Sequence, residues 1–203
     1  MPTALFRFIC ALLVLLPLGA YADDASDFAA ANNSVQAQLL ESWAAQPTPA
    51  RVELINSLQQ GQVTVDGNVK TLRLNNRLRG LVETALASHQ LLAADPKLRL
   101  NAAQQLQKSA KPAQLKFLDQ QLAEETDHDV HTALSLALAN LQLVDPDPAV
   151  RLSAVRLLGE TGEPLARTRL ENLLQPDVET NATVRTAAET SLAQVKRKLL
   201  IGD

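Results

Sequence analysis

Two segments of this 203-residue chain follow one pattern: ADPKLRLNAAQQL at 94–106 and PDPAVRLSAVRLL at 146–158. Each has Asp-Pro, an aliphatic residue two places after the proline, an arginine, an alanine three residues later and a leucine four after that. DHDVHTALSLAL at 127–138 and NATVRTAAETSL at 181–192 are fainter copies. No other feature limits the fold as strongly. One such unit is too small to bury its apolar face alone, so the copies must stack on one another.

Position by position, the pattern describes the start of a helix. Its first residue is Asp95, Asp127, Asp147 or Asn181, each able to accept a hydrogen bond from a free amide of the first turn. Proline follows in the two strong copies, where its missing N–H costs nothing. The fourth position (Leu98, Val130, Val150, Val184) and the twelfth (Leu106, Leu138, Leu158, Leu192) are expected in the core. The fifth reads Arg99, His131, Arg151 and Arg185. A cation in the first turn opposes the helix dipole, so its recurrence needs a cause. The capping carboxylate four residues earlier is one, and in a stack the arginine could also reach the Asp of the neighbouring unit; a solvated surface charge is the alternative. Copies begin 32, 20 and 34 residues apart, which reads as helix pairs with the middle copies on adjacent helices. The expected architecture is all-α, a solenoid of stacked antiparallel helix pairs.

Helical spacing extends upstream. Val35, Leu39, Leu40 and Trp43 form one stripe and Val52, Leu54, Ile55 and Leu58 another, separated by the proline pair of QPTPA. The exception is a possible short β-hairpin at 62–73, where Val63 and Val65 alternate with polar residues and Asp66-Gly67 suits a tight turn. Two strands alone are marginal, so the segment either packs on the helices or stays a loop. A long helix follows with Leu78, Leu81, Val82, Leu86 and Leu91 on or near one face, and further helices are expected at 96–109, 112–124, 128–144, 148–160, 163–174 and 182–200.

Residues 1–22 read as a secretory signal: one positive charge, an apolar run too short for a stable span, and Ala20-Tyr21-Ala22 as the cleavage site, with an uncleaved anchor as the alternative. The expected product is a flexible N-terminus at 23–33 followed by one repeat domain at 34–200, exported to the periplasm, with association with the inner membrane as a further option. Arg7 and the single Cys10 leave with the signal, so no disulfide is available and packing must hold the fold. A formal charge of −3 argues against a nucleic-acid partner, and after the signal no apolar run is long enough to span a bilayer.

Few residue patterns in the chain suggest chemistry. Asp127-His128-Asp129-Val130-His131 packs four potential ligands into five residues, with His128 and His131 one helical turn apart, so these two histidines are the candidates for a metal. The repeat explains the same residues as a capped helix start. His89 has no cysteine beside it, no G-x-S-x-G nucleophile elbow occurs, and Glu124-Glu125 are adjacent and project apart. No catalytic residue and no cofactor is expected. Trp43 is either core or a partner anchor. Arg99, Arg151 and Arg185, with the helix 36–46, are the other candidate contacts.

The Asp-Pro-x-Val-Arg-x-x-Ala run at 147–154 resembles HEAT-like helical repeats, from which the copy at 127–138 departs most, with His131 for Arg and Leu134 for the small alanine. FAAANNSVQAQLLESWAAQP at 28–47, LRLNNRLRGLVETALASHQLLAADP at 72–96 and LAQVKRKLL at 192–200 resemble the N-terminal extracytoplasmic extension of the permease subunit of bacterial urea ABC transporters, of the branched-chain amino-acid type. The resemblance implies a periplasmic interaction domain in urea uptake, with the substrate-binding protein and the membrane permease core as partners. The membrane part is absent from the sequence, so no transport residue carries over, and a fragment or a stand-alone product of a shortened gene are both open. The basic trio Lys196-Arg197-Lys198 sits uneasily with an outside location by the positive-inside tendency. The other reading is a stand-alone adaptor or a small-ligand or metal-binding repeat protein.

Overall fold

A computed structural model describes residues 19–201. The fold is all-α apart from one hairpin. In order, it comprises α1 (Gly19–Ala30), α2 (Asn33–Ala45), α3 (Val52–Gln59), β1 (Gln62–Val65), β2 (Asn68–Thr71), α4 (Asn76–Gln90), α5 (Pro96–Ser109), α6 (Leu115–Glu124), α7 (His128–Gln142), α8 (Pro148–Thr161), α9 (Pro164–Leu173) and α10 (Ala182–Ile201). The expected signal lies mostly outside the described residues, and its cleavage point falls within α1.

The segment 23–33, expected as a flexible N-terminus, is mostly helical in the structure. It is largely α1, whose Phe28 is fully buried against Trp43 with ring centroids 5.7 Å apart. Gln36 is buried, and its Nε2 donates to the carbonyl of Phe28 at 3.0 Å, near the end of α1 where Ala31 N reaches the same oxygen only at 3.4 Å. Val35, by contrast, is 41% exposed and does not belong to the apolar stripe. Arg51 Nε ties α1 down through Asp24 at 2.6 Å.

The hairpin forms as the alternation suggests. Asp66 and Gly67 both have positive φ (51° and 75°), the geometry of a two-residue turn that matches strand twist, and the register pairs Val65 with Asn68 and Val63 with Lys70. Two strands are stable here because Val63 and Val65 are buried and β1 packs on α1 and α3.

From α4 onward the repeating unit is three helices, not a pair. α4 and α7 are each 15 residues and start 52 apart; α5 and α8 are each 14 residues and also start 52 apart; α6 and α9 are each 10 residues. α10 begins a third unit 54 residues after α7. Contacts recur with the lengths: α4 on α5 and α7 on α8 within a unit, α5 on α7 and α8 on α10 between units, α6 on α7 and α9 on α10 from the third helix. Asn75, which caps α4 by accepting from Leu78 N at 2.9 Å, is therefore a fifth copy of the cap, with Leu78, Arg79 and Leu86 at the fourth, fifth and twelfth positions and Asn76 and Val82 in place of the proline and the alanine.

The central helices are buried nearly all round along part of their length, because each is packed on several sides. Residues 133–139 of α7 are buried without a break, as are 84–89 of α4. Polar groups inside are mostly paired: Gln114 accepts from Lys111 N at 2.8 Å and donates to Ser88 Oγ at 2.7 Å. Of the expected core positions, Leu106, Leu138, Leu158, Val130 and Val184 are buried, Val150 and Leu192 partly so. Leu98 is 44% exposed, because in the first turn of α5 the inward position belongs to Arg99 and the apolar stripe starts at Ala102.

His89 is the exception inside. It is 1% exposed; its Nδ1 lies 2.7 Å from the carbonyl of Ala85, which makes Nδ1 the protonated nitrogen and leaves Nε2 buried with no partner. Burial, more than the opposing bond to Ala85, holds its pKa below the usual histidine range, and the positive Arg51 adds to that. The equivalent residue 52 positions on is Leu141. We expect His89→Leu to raise stability by about 1 kcal/mol at neutral pH, since an unsatisfied buried acceptor disappears at nearly constant volume. With a depressed folded pKa the unfolded chain takes up the proton first, so wild-type stability falls as pH drops below about 6.5, and the variant should lose that slope. Thermal melts from pH 7 to 5 check both statements.

Candidate functional site

The pattern residues assemble along one edge of the stack. Asp95 accepts from Lys97 N at 2.9 Å, Asp147 from Ala149 N at 2.8 Å, Asp127 from Asp129 N and Val130 N at 3.0 and 3.1 Å, and Asn181 from Thr183 N and Val184 N at the same two distances. All four cap a helix start, and the backbone at Asp95, Asp127 and Asp147 is extended, as such a cap requires.

The arginines do something the caps alone do not explain. Arg99 folds back to donate Nη1 to the carbonyls of Ala93 and Ala94 at 3.0 and 2.9 Å, while Nε and Nη2 grip both oxygens of Glu125 at 2.7 and 2.9 Å. Arg151 repeats this with the carbonyls of Asp145 and Pro146 and with Glu179, at 2.7 and 3.0 Å. The partner carboxylate is thus the residue two before the next unit's cap, not the capping Asp itself. Each glutamate also accepts from the cap's own amide, Asp127 N and Asn181 N, both at 2.8 Å. Charge-assisted bonds hold Glu125 and Glu179 below the usual carboxylate range, Arg99 and Arg151 being the main cause in each case. Arg185 donates to the carbonyls of Glu179 and Leu174, closing the end of α9.

These three arginines are therefore half-buried clamps between units and do not form an exposed contact surface. His131, in the place of Arg185, is half-buried and makes no side-chain hydrogen bond among the described residues. His128 is exposed and lines a groove between α5 and α7. Among the described residues no three His, Cys, Asp or Glu side chains come together as a metal site requires, so His128 and His131 lack the further ligands that the candidate centre needs. Trp43 is 3% exposed, packed on Phe28 and under the guanidinium of Arg51 at 5.7 Å, which makes it core and not a partner contact.

What the sequence did not reveal is the groove. Between α5 and α7 it is about 510 Å³, lined by Leu100, Gln104, Thr132 and Ala133 among others, and walled on one side by Glu163 and Leu165 at the start of α9. Between α8 and α10 the groove is about 750 Å³ and lined by Leu152, Arg156, Thr186 and Ala187. These are the same places in successive units: 100 and 152, 104 and 156, 132 and 186, 133 and 187. The signal was present in the spacing, but only the offsets of 52 residues from α5 to α8 and 54 from α7 to α10 make it visible. No helix among the described residues is long and apolar enough to cross a membrane. No protein-family model matches the sequence, and no curated protein matches it either.

Proposed function

We propose that the chain is a non-catalytic helical-repeat interaction domain of HEAT-like architecture, acting in urea uptake from the periplasmic side of an inner membrane. In this reading residues 1–22 export it, and its partners are the other subunits of a urea ABC transporter: the substrate-binding protein and the membrane permease core. The urea assignment rests on the strings at 28–47, 72–96 and 192–200 that resemble the permease extension. The docking role rests on one observation, the open groove that recurs at equivalent positions of successive units and widens from about 510 to about 750 Å³. Rigid clamps at the opposite duty, joining unit to unit, suit a scaffold whose surface must keep its shape while a partner binds.

The test is cross-linking of the tagged full chain in its own cells grown on urea, with captured proteins identified by mass spectrometry. Cross-links to a urea-binding protein or a permease core are the expected result. Cross-links confined to proteins outside any transporter would discard the urea assignment and keep docking; none at all, with both subunits produced, would discard both.

A further inference from the structure

The hairpin breaks the helical pattern, and only half of it is used for packing. β1 buries Val63 and Val65 against α1 and α3, whereas all four residues of β2 are exposed, Val69 to 64%. The ladder fixes which way the backbone of β2 points. Leu72 N donates to the carbonyl of Gly61 at 2.7 Å, so by the alternation of an antiparallel ladder Val63–Lys70 and Val65–Asn68 are the hydrogen-bonded pairs within it. The N–H and C=O groups of Val69 and Thr71 therefore point away from β1, and among the described residues nothing pairs with them. The chain around this edge is basic. Between Asp66 and Glu83 it carries Lys70, Arg73, Arg77 and Arg79 and no acid, within a sequence of formal charge −3. All four cations are exposed, and among the described residues only Arg77 has an acidic partner, Glu41 at a long 4.0 Å. Arg79 holds the pattern position at which Arg99, Arg151 and Arg185 are half-buried clamps, yet it stands open to solvent.

We propose that the free edge of β2 is a docking site for an acidic, extended segment of a partner protein, which adds a third strand antiparallel to β2. Its main chain pairs with the outward groups of Val69 and Thr71, and its carboxylates lie opposite Lys70 and Arg73. A second copy of β2 in the same place would set Lys70 and Arg73 of both chains side by side, like charge against like. A surface of phosphates would satisfy the cations but offers no donors to the outward carbonyls. No residue of the hairpin lines either groove, so this inference stands or falls apart from the docking reading above.

The probe is the end-capped peptide Glu-Thr-Val-Glu-Val-Thr, whose two acids fall opposite Arg73 and Lys70 and whose two valines fall opposite Thr71 and Val69. It is titrated to millimolar concentration into the isotopically labelled full chain and followed by NMR. Shift changes centred on residues 68–73 are expected. A peptide with Lys in place of both acids should bind at least about tenfold more weakly, and the double variant Lys70→Glu/Arg73→Glu should invert that preference. Both side chains are exposed and unpaired among the described residues, so the variant keeps the fold, which its amide spectrum outside the hairpin checks. Methylating the nitrogens of the two valines removes the donors that face β2 and leaves the charge unchanged; it too should weaken binding at least about tenfold. Equal binding of the methylated peptide would mean attraction of charge without strand pairing and would overturn the proposal. Absence of shifts, or shifts centred elsewhere, would do the same. Binding to phosphatidylglycerol vesicles in place of the peptide would assign the cations to a lipid surface, and concentration-dependent broadening of residues 68–73 before peptide is added would assign the edge to a second copy; either overturns it.

Discussion

Gly159→Ala should lower stability by about 2 kcal/mol, a fall in Tm of roughly 4–8 °C for a chain of this size. A Cβ built on Gly159 would lie 2.8 Å from Ser191 Oγ, 2.9 Å from Ser191 Cβ and 2.9 Å from Gln194 Oε1. The glutamine end can swing away; Ser191 Cβ is fixed to the backbone of α10. The two helices would have to separate by several tenths of an ångström along a junction where Ala154, Val155, Leu158, Ala188 and Val195 are all buried. Overpacking of this kind costs about 1–3 kcal/mol, or more at a helix crossing, and outweighs the roughly 1 kcal/mol that alanine gains over glycine in helix propensity. Ser191→Gly removes both of the rigid contacts. The double variant should therefore recover at least about 1 kcal/mol relative to the sum of the single effects, measured by denaturant unfolding. Additive single effects would mean that Gly159 is there for some reason other than close approach.

The same junction shows how the units differ while sharing a frame. At the α5/α7 junction the position of Gly159 is Gln107, whose Nε2 donates to the carbonyl of Ala133 at 3.1 Å and whose own carbonyl accepts from Asn140 at 3.0 Å. Asn140 corresponds to Gln194, and Ala137 to Ser191, by the 54-residue offset of α10 from α7. One junction is bridged by side-chain amides, the next by direct backbone approach. Neither device has a signature that a single sequence displays.

What a sequence of this kind does display is local chemistry. The start of α5, α7 and α8 is legible to the residue because Asp95, Asp127 and Asp147 cap through their own side chains, and the Asp66-Gly67 turn is legible because its two positive φ values suit those residue types. The fold class follows from the same helical periodicity. Partners across space are another matter. Arg99 was readable as a residue in want of an acid, yet Glu125, 26 residues later, looks in sequence like any surface glutamate. The length of the unit was hidden for the same reason: α4 carries the cap of the pattern without its proline, and α7 and α8 carry two copies only 20 residues apart, so the eye pairs helices that belong to a triplet. Trp43 stays open in the sequence because an amphipathic aromatic suits a core and an interface equally, and only the ring of Phe28 and the guanidinium of Arg51 decide for the core.

The clamps should make the stack acid-sensitive. Glu125 and Glu179 are 5% and 2% exposed in their side chains, against 18% and 16% for Arg99 and Arg151, so each pair is screened by water from the arginine side only. Glu179→Gln and Glu125→Gln keep shape and lose charge, and each should cost about 2 kcal/mol at neutral pH, below the roughly 3–5 kcal/mol of a fully buried broken pair. The sign with pH follows from the depressed folded pKa values. Above the ordinary glutamate value of 4.5 both states are ionised and the contribution is complete; as pH falls through the folded pKa the native carboxylates are protonated and the contribution is lost. The stability gap between wild type and the double variant Glu125→Gln/Glu179→Gln should therefore be largest at pH 7 and shrink steadily below about 4.5. Because the pairs sit at different junctions, their neutral-pH effects should add within about 0.5 kcal/mol. A gap that persists at low pH would show that the carboxylate charge is not what the substitutions remove, and the recurrent cation of the pattern would then owe its place to the carbonyls of Ala93, Ala94, Asp145 and Pro146 alone.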